Sequence, residues 1–222
     1  MGVTKARTRV KICCMGSIDE ATMAIAAGAD AIGLVSAMPS GPGPIDEQLI
    51  CQIAAYVPRS VGTFLLTSLT TADAIVAQHS RCLTSTIQLV DRLEAGAHQA
   101  IRRALPGVRL VQVIHVTDRS SIDEAKEVEA FVDAILLDSG NPKLAIKELG
   151  GTGRTHDWSV SAQLVRNVEV PVFLAGGLRA DNVQRAIQQV RPYGVDVCSG
   201  VRTDGNLDPA KLEGFMTAVR AA

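Results

Sequence analysis

The chain has 222 residues, of which 47% are hydrophobic, and it carries a net charge of -1. This composition can bury one large core, but the chain lacks the basic blocks and aromatic platforms of nucleic-acid-binding proteins. No apolar run approaches the roughly 18 residues that cross a bilayer. The odd count of five cysteines, without metal-ligand spacing, indicates reduced thiols. We therefore predict a cytoplasmic protein that binds neither nucleic acid nor membrane and holds no metal.

Apolar runs and amphipathic segments alternate along the whole chain. Strands are predicted at residues 9–15, 31–37, 61–67, 86–90, 108–116 and 134–138, with two more inside 170–201. Helices are predicted at residues 18–27, 47–56, 72–79, 94–104, 121–131, 159–168, 181–190 and 209–219. Ser17 with Glu20 forms a capping-box pattern, and Asp46 and Asp157 stand where N-caps are expected.

Eight strand–helix units without a linker predict an α/β fold in which residues 1–222 form one domain, a closed (β/α)8 TIM barrel with parallel strands. A doubly wound open sheet is the alternative. That fold would carry a G-x-G-x-x-G loop after its first strand, and Met15-Gly16-Ser17-Ile18 does not match it. In the barrel, the functional groups are expected on the loops that follow the strands.

Two small-residue turns close the last two apolar runs, at Gly176-Gly177 and Ser199-Gly200. In barrels of this class, the loops after the seventh and eighth strands commonly hold a phosphate on backbone N–H groups. The simpler alternative is that both are ordinary turns that need glycine for their geometry. Because the two turns occur as a pair at the end of a repeating chain, we predict a phosphate site.

Cys13 and Asp138 stand near the carboxyl ends of the first and sixth predicted strands. Because side chains alternate along a strand, only one of Cys13 and Cys14 is expected to face the barrel interior. Asp138 ends a very apolar run, where burial would raise its pKa and suit it to general-acid chemistry. The alternatives are buried structural cysteines and a capping aspartate.

Asp196 and Cys198 are two residues apart and should share the inner face of the last strand. The glycine-rich loop at residues 150–158 carries Gly151, Gly153 and Arg154, and its flexibility and polarity suit closure over a ligand. His156 in this loop is either a ligand contact or simply solvated.

The collinear motifs resemble the phosphoribosylanthranilate isomerase family, a (β/α)8 barrel, over essentially the whole chain. They are V-K-I-C at residues 10–13, G-A-D-A-I-G at 28–33, L-L-D-S at 136–139, G-G-T-G-R-T-H-D-W at 150–158, L-A-G-G-L at 174–178 and V-D-V-C-S-G-V at 195–201. The resemblance implies the Amadori rearrangement of N-(5'-phosphoribosyl)anthranilate in tryptophan biosynthesis, without a cofactor. It also implies a monomer or homodimer whose partner is a small phosphosugar substrate.

Carried over by motif, the resemblance makes Cys13 the general base and Asp138 the general acid. It places the phosphate on Gly176, Gly177, Ser199 and Gly200. The other predicted substrate-binding residues are Lys11, Gly151, Gly153, Arg154, Asp196 and Arg202.

The chain departs from the family pattern on the side expected to face anthranilate. The loop at residues 38–44 has no basic residue where the family has an arginine, and Val90 replaces a histidine. Cys14 replaces a glycine, and His156 a phenylalanine. These departures leave two alternatives open: a relative acting on another phosphorylated sugar amine, and a non-catalytic phosphosugar-binding barrel. They also predict poor turnover of phosphoribosylanthranilate, improved by an arginine at Gly43.

Overall fold

Eight parallel strands, each paired with the next in the chain, close into a barrel in the computed structural model, which describes residues 7–140 and 153–222. The strands are β1 (Arg9–Ile12), β2 (Ala31–Val35), β3 (Gly62–Thr67), β4 (Thr86–Leu89), β5 (Arg109–His115), β6 (Ala134–Asp138), β7 (Val172–Leu174) and β8 (Gly194–Val197). The last strand pairs with the first, with Ile12 opposite Val197. The predicted (β/α)8 barrel is confirmed.

A helix follows each strand and packs on the outside of the barrel. The helices are α1 (Ile18–Ala26), α2 (Glu47–Tyr56), α3 (Ala72–Cys82), α4 (Ala97–Ala104), α5 (Ser120–Glu129), α6 (Trp158–Asn167), α7 (Val183–Val190) and α8 (Pro209–Arg220). A short hairpin of β9 (Arg202–Thr203) and β10 (Asn206–Leu207), which the sequence did not predict, lies between β8 and α8.

Two predicted boundaries are wrong for a backbone reason. The first strand ends at Ile12 rather than at residue 15, because Cys14 has a φ of 66° and turns the chain out of the sheet. Helix α4 begins at Ala97 rather than at Glu94, because Gly96 has a φ of 80°. A left-handed residue cannot continue either a strand or a helix.

Strand alternation divides the buried residues into two cores. Val111 and Val113 on β5, with Leu136 on β6, fill the barrel interior. Leu110 and Ile114 belong to the larger core between the strands and the helices. Each such aliphatic side chain contributes about 1.5–3 kcal/mol when fully buried. The inward positions at the carboxyl ends of the strands are therefore held by packing on both sides of the sheet.

Helix starts follow the predicted capping residues, with one exception. Asp46 accepts a hydrogen bond from the Leu49 backbone N–H at 2.7 Å, and Asp157 accepts one from Ser159 at 2.8 Å. Ser17 accepts from Glu20 at 3.1 Å, but the Glu20 carboxylate does not complete a capping box on Ser17. It accepts from the Gly16 backbone N–H at 2.9 Å instead, because the same carboxylate also binds Arg202.

Within residues 7–140 and 153–222, the helices are all too short or too polar to cross a membrane.

Candidate active site

A pocket of about 680 Å³, open to solvent, lies at the carboxyl ends of the strands. Its walls include Cys13, Asp138 and Asp196 together with the turns after β7 and β8. Residues that are widely separated in the sequence thus meet at one opening, as the barrel topology requires.

A buried ion pair lies directly below the pocket. The Lys11 ammonium, which has no exposed surface, donates to the Asp196 carboxylate at 2.9 Å. Lys11 also lies 5.4 Å from the centre of the Phe64 ring. Burial acts to lower the pKa of Lys11, but Asp196 and Cys13 outweigh it, so the pKa is raised and the amine stays charged.

Gly33 on β2 makes room for this group. A Cβ at position 33 would lie 2.6 Å from the Cys13 sulfur and 3.1 Å from the Lys11 Nζ. Any larger side chain would therefore displace the thiol or the ammonium. The absence of a side chain at Gly33 is what allows the Cys13 and Lys11 side chains to lie next to each other inside the barrel.

Cys13 has the electrostatic surroundings of a thiolate. A hydrogen bond from the Cys14 thiol lowers the pKa of Cys13 most, burial opposes it, and the Lys11 ammonium lowers it further. The same hydrogen bond, together with one to Cys198, raises the pKa of Cys14 well above its usual value. Of the two cysteines, Cys13 is therefore the one whose surroundings favour the thiolate.

The prediction that only one of the two adjacent cysteines faces the barrel interior is wrong. Both Cys13 and Cys14 line the pocket and both are buried. Strand alternation applies only up to Ile12, and the left-handed backbone of Cys14 turns its side chain towards the mouth as well. The sequence shows that Cys14 stands where the family has a glycine, but it does not show which way the Cys14 side chain points.

Asp138 ends β6 and lines the pocket, as predicted. Burial raises its pKa above the usual range, while the Ser139 backbone N–H, at 2.7 Å from one carboxylate oxygen, and nearby His115 act in the opposite direction. His115 is the partner of Asp138 in the β5–β6 register, and its Nε2 donates a hydrogen bond to the Val90 backbone oxygen at 3.0 Å. A carboxyl group in such surroundings can keep a proton that it later donates.

The two predicted phosphate turns lie against each other. Gly176 and Gly177 have φ angles of 83° and 60°, and both line the pocket with Ser199. A Cβ at Gly200 would lie 2.0 Å from the Leu178 backbone oxygen, so only glycine permits this contact between the turns. Adjacent turns rich in glycine are the arrangement that can direct several backbone N–H groups at one anion.

The loop before α6 joins the same turns. Gly153 lines the pocket, and a Cβ there would lie 3.7 Å from the Ser199 hydroxyl. The Arg154 backbone packs on Gly177, whose added Cβ would lie 2.6 Å from the Arg154 carbonyl carbon. Gly151 lies outside the described residues. The loop is thus positioned beside the turns, whatever the role of the Arg154 side chain.

The Arg202 side chain forms its hydrogen bonds outside the wall of the pocket. Its guanidinium donates to both Glu20 carboxylate oxygens, at 3.0 and 2.9 Å, and to the backbone oxygens of Gly205 and Cys14. It does not belong to the pocket wall. This arginine ties the hairpin after β8 to α1 and to the Cys14 turn, a structural role that the sequence did not predict.

The remaining wall comes from the loop after β2. Met38, Ser40, Gly41 and Pro42 line the pocket, and within residues 7–140 and 153–222 no lysine or arginine does. Gly43 has a φ of 81°, and a Cβ there would lie 2.6 Å from the Cys14 Cβ. An arginine at Gly43 is therefore a poor choice of variant, because its backbone would be strained and its Cβ would clash with Cys14.

One polar residue at the site was not singled out from the sequence. Gln88 on β4 is 3% exposed and lines the pocket, and within the described part of the chain its Oε1 has no hydrogen-bond partner. A polar residue at an inward position of an apolar strand was the available signal for Gln88. Cys198, which was expected on the inner face of the last strand with Asp196, lines the pocket next to Ser199. His156, in contrast, is bonded to the Ser161 hydroxyl at 2.7 Å, and burial lowers its pKa to about 4.

A sequence model of the N-(5'-phosphoribosyl)anthranilate (PRA) isomerase family matches residues 10–218. The chain is 38% identical to the N-(5'-phosphoribosyl)anthranilate isomerase of Haloferax volcanii, with 97% of this chain and 94% of that protein covered. It is 36% identical to the protein of that name from Methanocella arvoryzae, over 89% and 90% of the two chains.

Solved structures give the same result. The phosphoribosyl anthranilate isomerase of Thermotoga maritima superposes with a TM-score of 0.81 at 27% identity, covering 97% of this chain and all of that one. A phosphoribosyl anthranilate isomerase in complex with reduced 1-(o-carboxyphenylamino)-1-deoxyribulose 5-phosphate superposes with a TM-score of 0.78 at 25% identity. The similarity extends over nearly the whole chain in both cases.

Proposed function

Because the chain belongs to the N-(5'-phosphoribosyl)anthranilate isomerase family, we propose that it catalyses the Amadori rearrangement of N-(5'-phosphoribosyl)anthranilate to the 1-deoxyribulose 5-phosphate product. The observation that carries the assignment of roles is the meeting of Cys13, Asp138 and the two glycine turns at one pocket. The reaction needs an acid, a base and a phosphate anchor, and these groups can supply all three.

Asp138 acts as the general acid. Its carboxyl proton goes to the ring oxygen of the ribose, so that the bond from C1' to that oxygen breaks and the amine nitrogen forms a Schiff base with C1'. Burial of Asp138 raises its pKa, which keeps the carboxyl protonated at a higher pH than an exposed aspartate. A positioned acid or base of this kind contributes about 100- to 10,000-fold to the rate.

Cys13 acts as the general base. Its thiolate removes the proton from C2', the electron pair forms the C1'–C2' double bond, and the resulting enolamine tautomerises to the ketone. The Cys14 hydrogen bond and the Lys11 ammonium stabilise the thiolate that this step needs. Lys11 therefore serves the chemistry through Cys13 and Asp196 rather than through a contact with the substrate.

Substrate placement falls to Asp196 and the glycine turns. One carboxylate oxygen of Asp196 binds Lys11, and the other is buried with no partner among the described residues. Because Asp196 lines the pocket, we assign to this oxygen a hydrogen bond from a ribose hydroxyl. With the phosphate on Gly176, Gly177, Ser199 and Gly200, C2' is held between the acid and the base.

The decisive experiment is a fluorescence assay in which purified protein consumes freshly generated phosphoribosylanthranilate. We expect turnover by the wild type and its loss in the Cys13→Ser variant. Cys51→Ser is the matched control, because Cys51 lies on α2 outside the pocket wall. Turnover that is unaffected by Cys13→Ser, or absent from the folded wild type, would contradict the proposal. Rescue of a tryptophan auxotroph provides an independent readout.

A further inference from the structure

Three of the five cysteines meet at the pocket, which is more than the isomerisation uses. Cys13 supplies the base, but Cys14 and Cys198 have no step in the reaction. Within the described residues, no three histidine, cysteine, aspartate or glutamate side chains have the arrangement of a metal site. The three thiols therefore need another explanation.

Cys14 occupies a backbone position that favours glycine. Its φ of 66° is left-handed, a conformation that costs a side-chain-bearing residue about 1–3 kcal/mol. A glycine there would avoid this cost. Cys14 is unfavourable for this backbone conformation and yet lines a reactive pocket, which points to a role for its side chain.

The Cys14 thiol lies with both of the other thiols in the wall of one pocket. Hydrogen bonds to Cys13 and to Cys198 are the main causes that raise its pKa. Cys198 is brought alongside by the β1–β8 pairing, because the Cys13 backbone N–H donates to the Val197 oxygen at 2.8 Å. The register thus places Cys198 beside Cys13, at a strand spacing of about 4.8 Å, and Cys14 follows Cys13 directly in the chain.

We propose that Cys13, Cys14 and Cys198 form a hydroperoxide-reactive site in which Cys14 and Cys198 rescue an oxidised Cys13. Any base that must reach substrate carbon is also reachable by a small peroxide through the same opening. A thiolate is the form that reacts, and the surroundings of Cys13 favour that form.

Oxidation of Cys13 and its rescue take three steps. The Cys13 thiolate attacks the peroxide, so that an S–O bond forms, the O–O bond breaks, and an alkoxide or hydroxide leaves. The Cys14 thiol attacks the Cys13 sulfenic acid, forming a disulfide and releasing water. The Cys198 thiol then attacks the Cys14 sulfur, which leaves a Cys14–Cys198 disulfide and frees the Cys13 thiolate, while the released proton neutralises the alkoxide or hydroxide.

The last exchange is favoured by geometry. A disulfide between the adjacent residues Cys13 and Cys14 is strained, since consecutive Cα atoms are about 3.8 Å apart and relaxed disulfides need more. The bond to Cys198 instead joins the two segments that follow the neighbouring strands β1 and β8, so it does not link adjacent residues. Without Cys14, the sulfenic acid would go on to sulfinic acid, which thiols do not reduce.

The test is peptide mapping of the whole protein after brief treatment with hydrogen peroxide. We expect the wild type to lose two hydrogens and to yield tryptic peptide 186–202 linked to peptide 12–59, with fragmentation placing the bond between Cys198 and Cys14. Dithiothreitol should reverse the change. In Cys14→Gly, which suits the left-handed backbone, Cys13 should gain two oxygens and its loss of activity should persist after dithiothreitol.

Cys198→Ser should stop at the Cys13–Cys14 disulfide, and Cys51→Ser should behave as the wild type. A disulfide without Cys14, or sulfinic acid on wild-type Cys13 as fast as in Cys14→Gly, would overturn the proposal. Because the peptide map needs no turnover, it remains decisive even if the isomerase assay fails. Each variant is compared with its own reduced form.

Discussion

The two sides of the pocket are built differently. The acid–base side is formed by strand ends, and its groups are fixed by the Lys11–Asp196 pair, by Ser139 and by close packing on Gly33. The side formed by the loop after β2 presents Met38 and Pro42, without a cation from the described residues. Proton transfer depends on sub-ångström placement of the acid and the base and on their shifted pKa values, and the barrel wall supplies both. The loop, in contrast, sets the fit of the aromatic group.

The largest effect is expected from the base itself. Cys13→Ser should reduce kcat about 100- to 10,000-fold, because a serine hydroxyl is a far weaker base than a thiolate. KM should change little, since Cys13 acts in the transition state rather than in substrate binding. Steady-state kinetics beside Cys51→Ser measure this. A large rise in KM with an unchanged kcat would assign Cys13 to binding instead.

The buried ion pair should govern stability on the same side of the pocket. Lys11→Met leaves the Asp196 carboxylate buried without its cation and should cost about 3–5 kcal/mol in the free energy of unfolding. Arg92→Met is the matched control, because the Arg92–Glu127 pair is 78% and 65% exposed and should contribute about 0–1 kcal/mol.

Urea denaturation with unchanged m-values measures both variants. Equal losses from the buried and the exposed pair would show that the Lys11 ammonium is not needed to compensate Asp196.

A substitution in the loop after β2 should improve kcat/KM, whereas substitutions at the strand ends should not. Pro42→Arg puts a guanidinium at a position that lines the pocket, without the strain of position 43. A charge-assisted contact with the anthranilate carboxylate, at about 1.5–3 kcal/mol, should raise kcat/KM about 10- to 100-fold. Wild-type kinetics on phosphoribosylanthranilate should show a raised KM.

Pro42→Gln is the neutral control for this change. A wild-type KM in the low micromolar range, or equal gains from arginine and glutamine, would show that the chain already has a clamp for the carboxylate.

The sequence placed Cys13, Asp138, Asp196 and the glycine turns at one end of the barrel, because these positions follow from strand ends and turn chemistry. Their roles were implied by the family resemblance and stay predictions. The sequence did not predict the features of the site that depend on backbone conformation. The left-handed turn at Cys14 brings two adjacent thiols to one pocket, and no periodicity rule predicts that. The Arg202–Glu20 pair was missed because its partners are 182 residues apart. A charged residue gives no signal of its distant partner.

The smallest effect is expected in the pH profile of kcat/KM, and it depends on the contact between Cys14 and Cys13. The Cys14 hydrogen bond stabilises the Cys13 thiolate and lowers the pKa of Cys13, so Cys14→Gly should raise that pKa. The active form needs Cys13 deprotonated and Asp138 protonated.

When Cys13 titrates above Asp138, the active form is a minor species, and its population is constant between the two pKa values. The alkaline limb of kcat/KM then reports Cys13, and the acidic limb reports Asp138, whose pKa burial raises. Cys14→Gly should therefore move the alkaline limb upward and lower the plateau by the same factor. Cys198→Ser, which leaves the Cys13–Cys14 contact in place, should move it less. An alkaline limb that stays in place or shifts downward in Cys14→Gly would mean that the Lys11 ammonium alone sets the charge on Cys13.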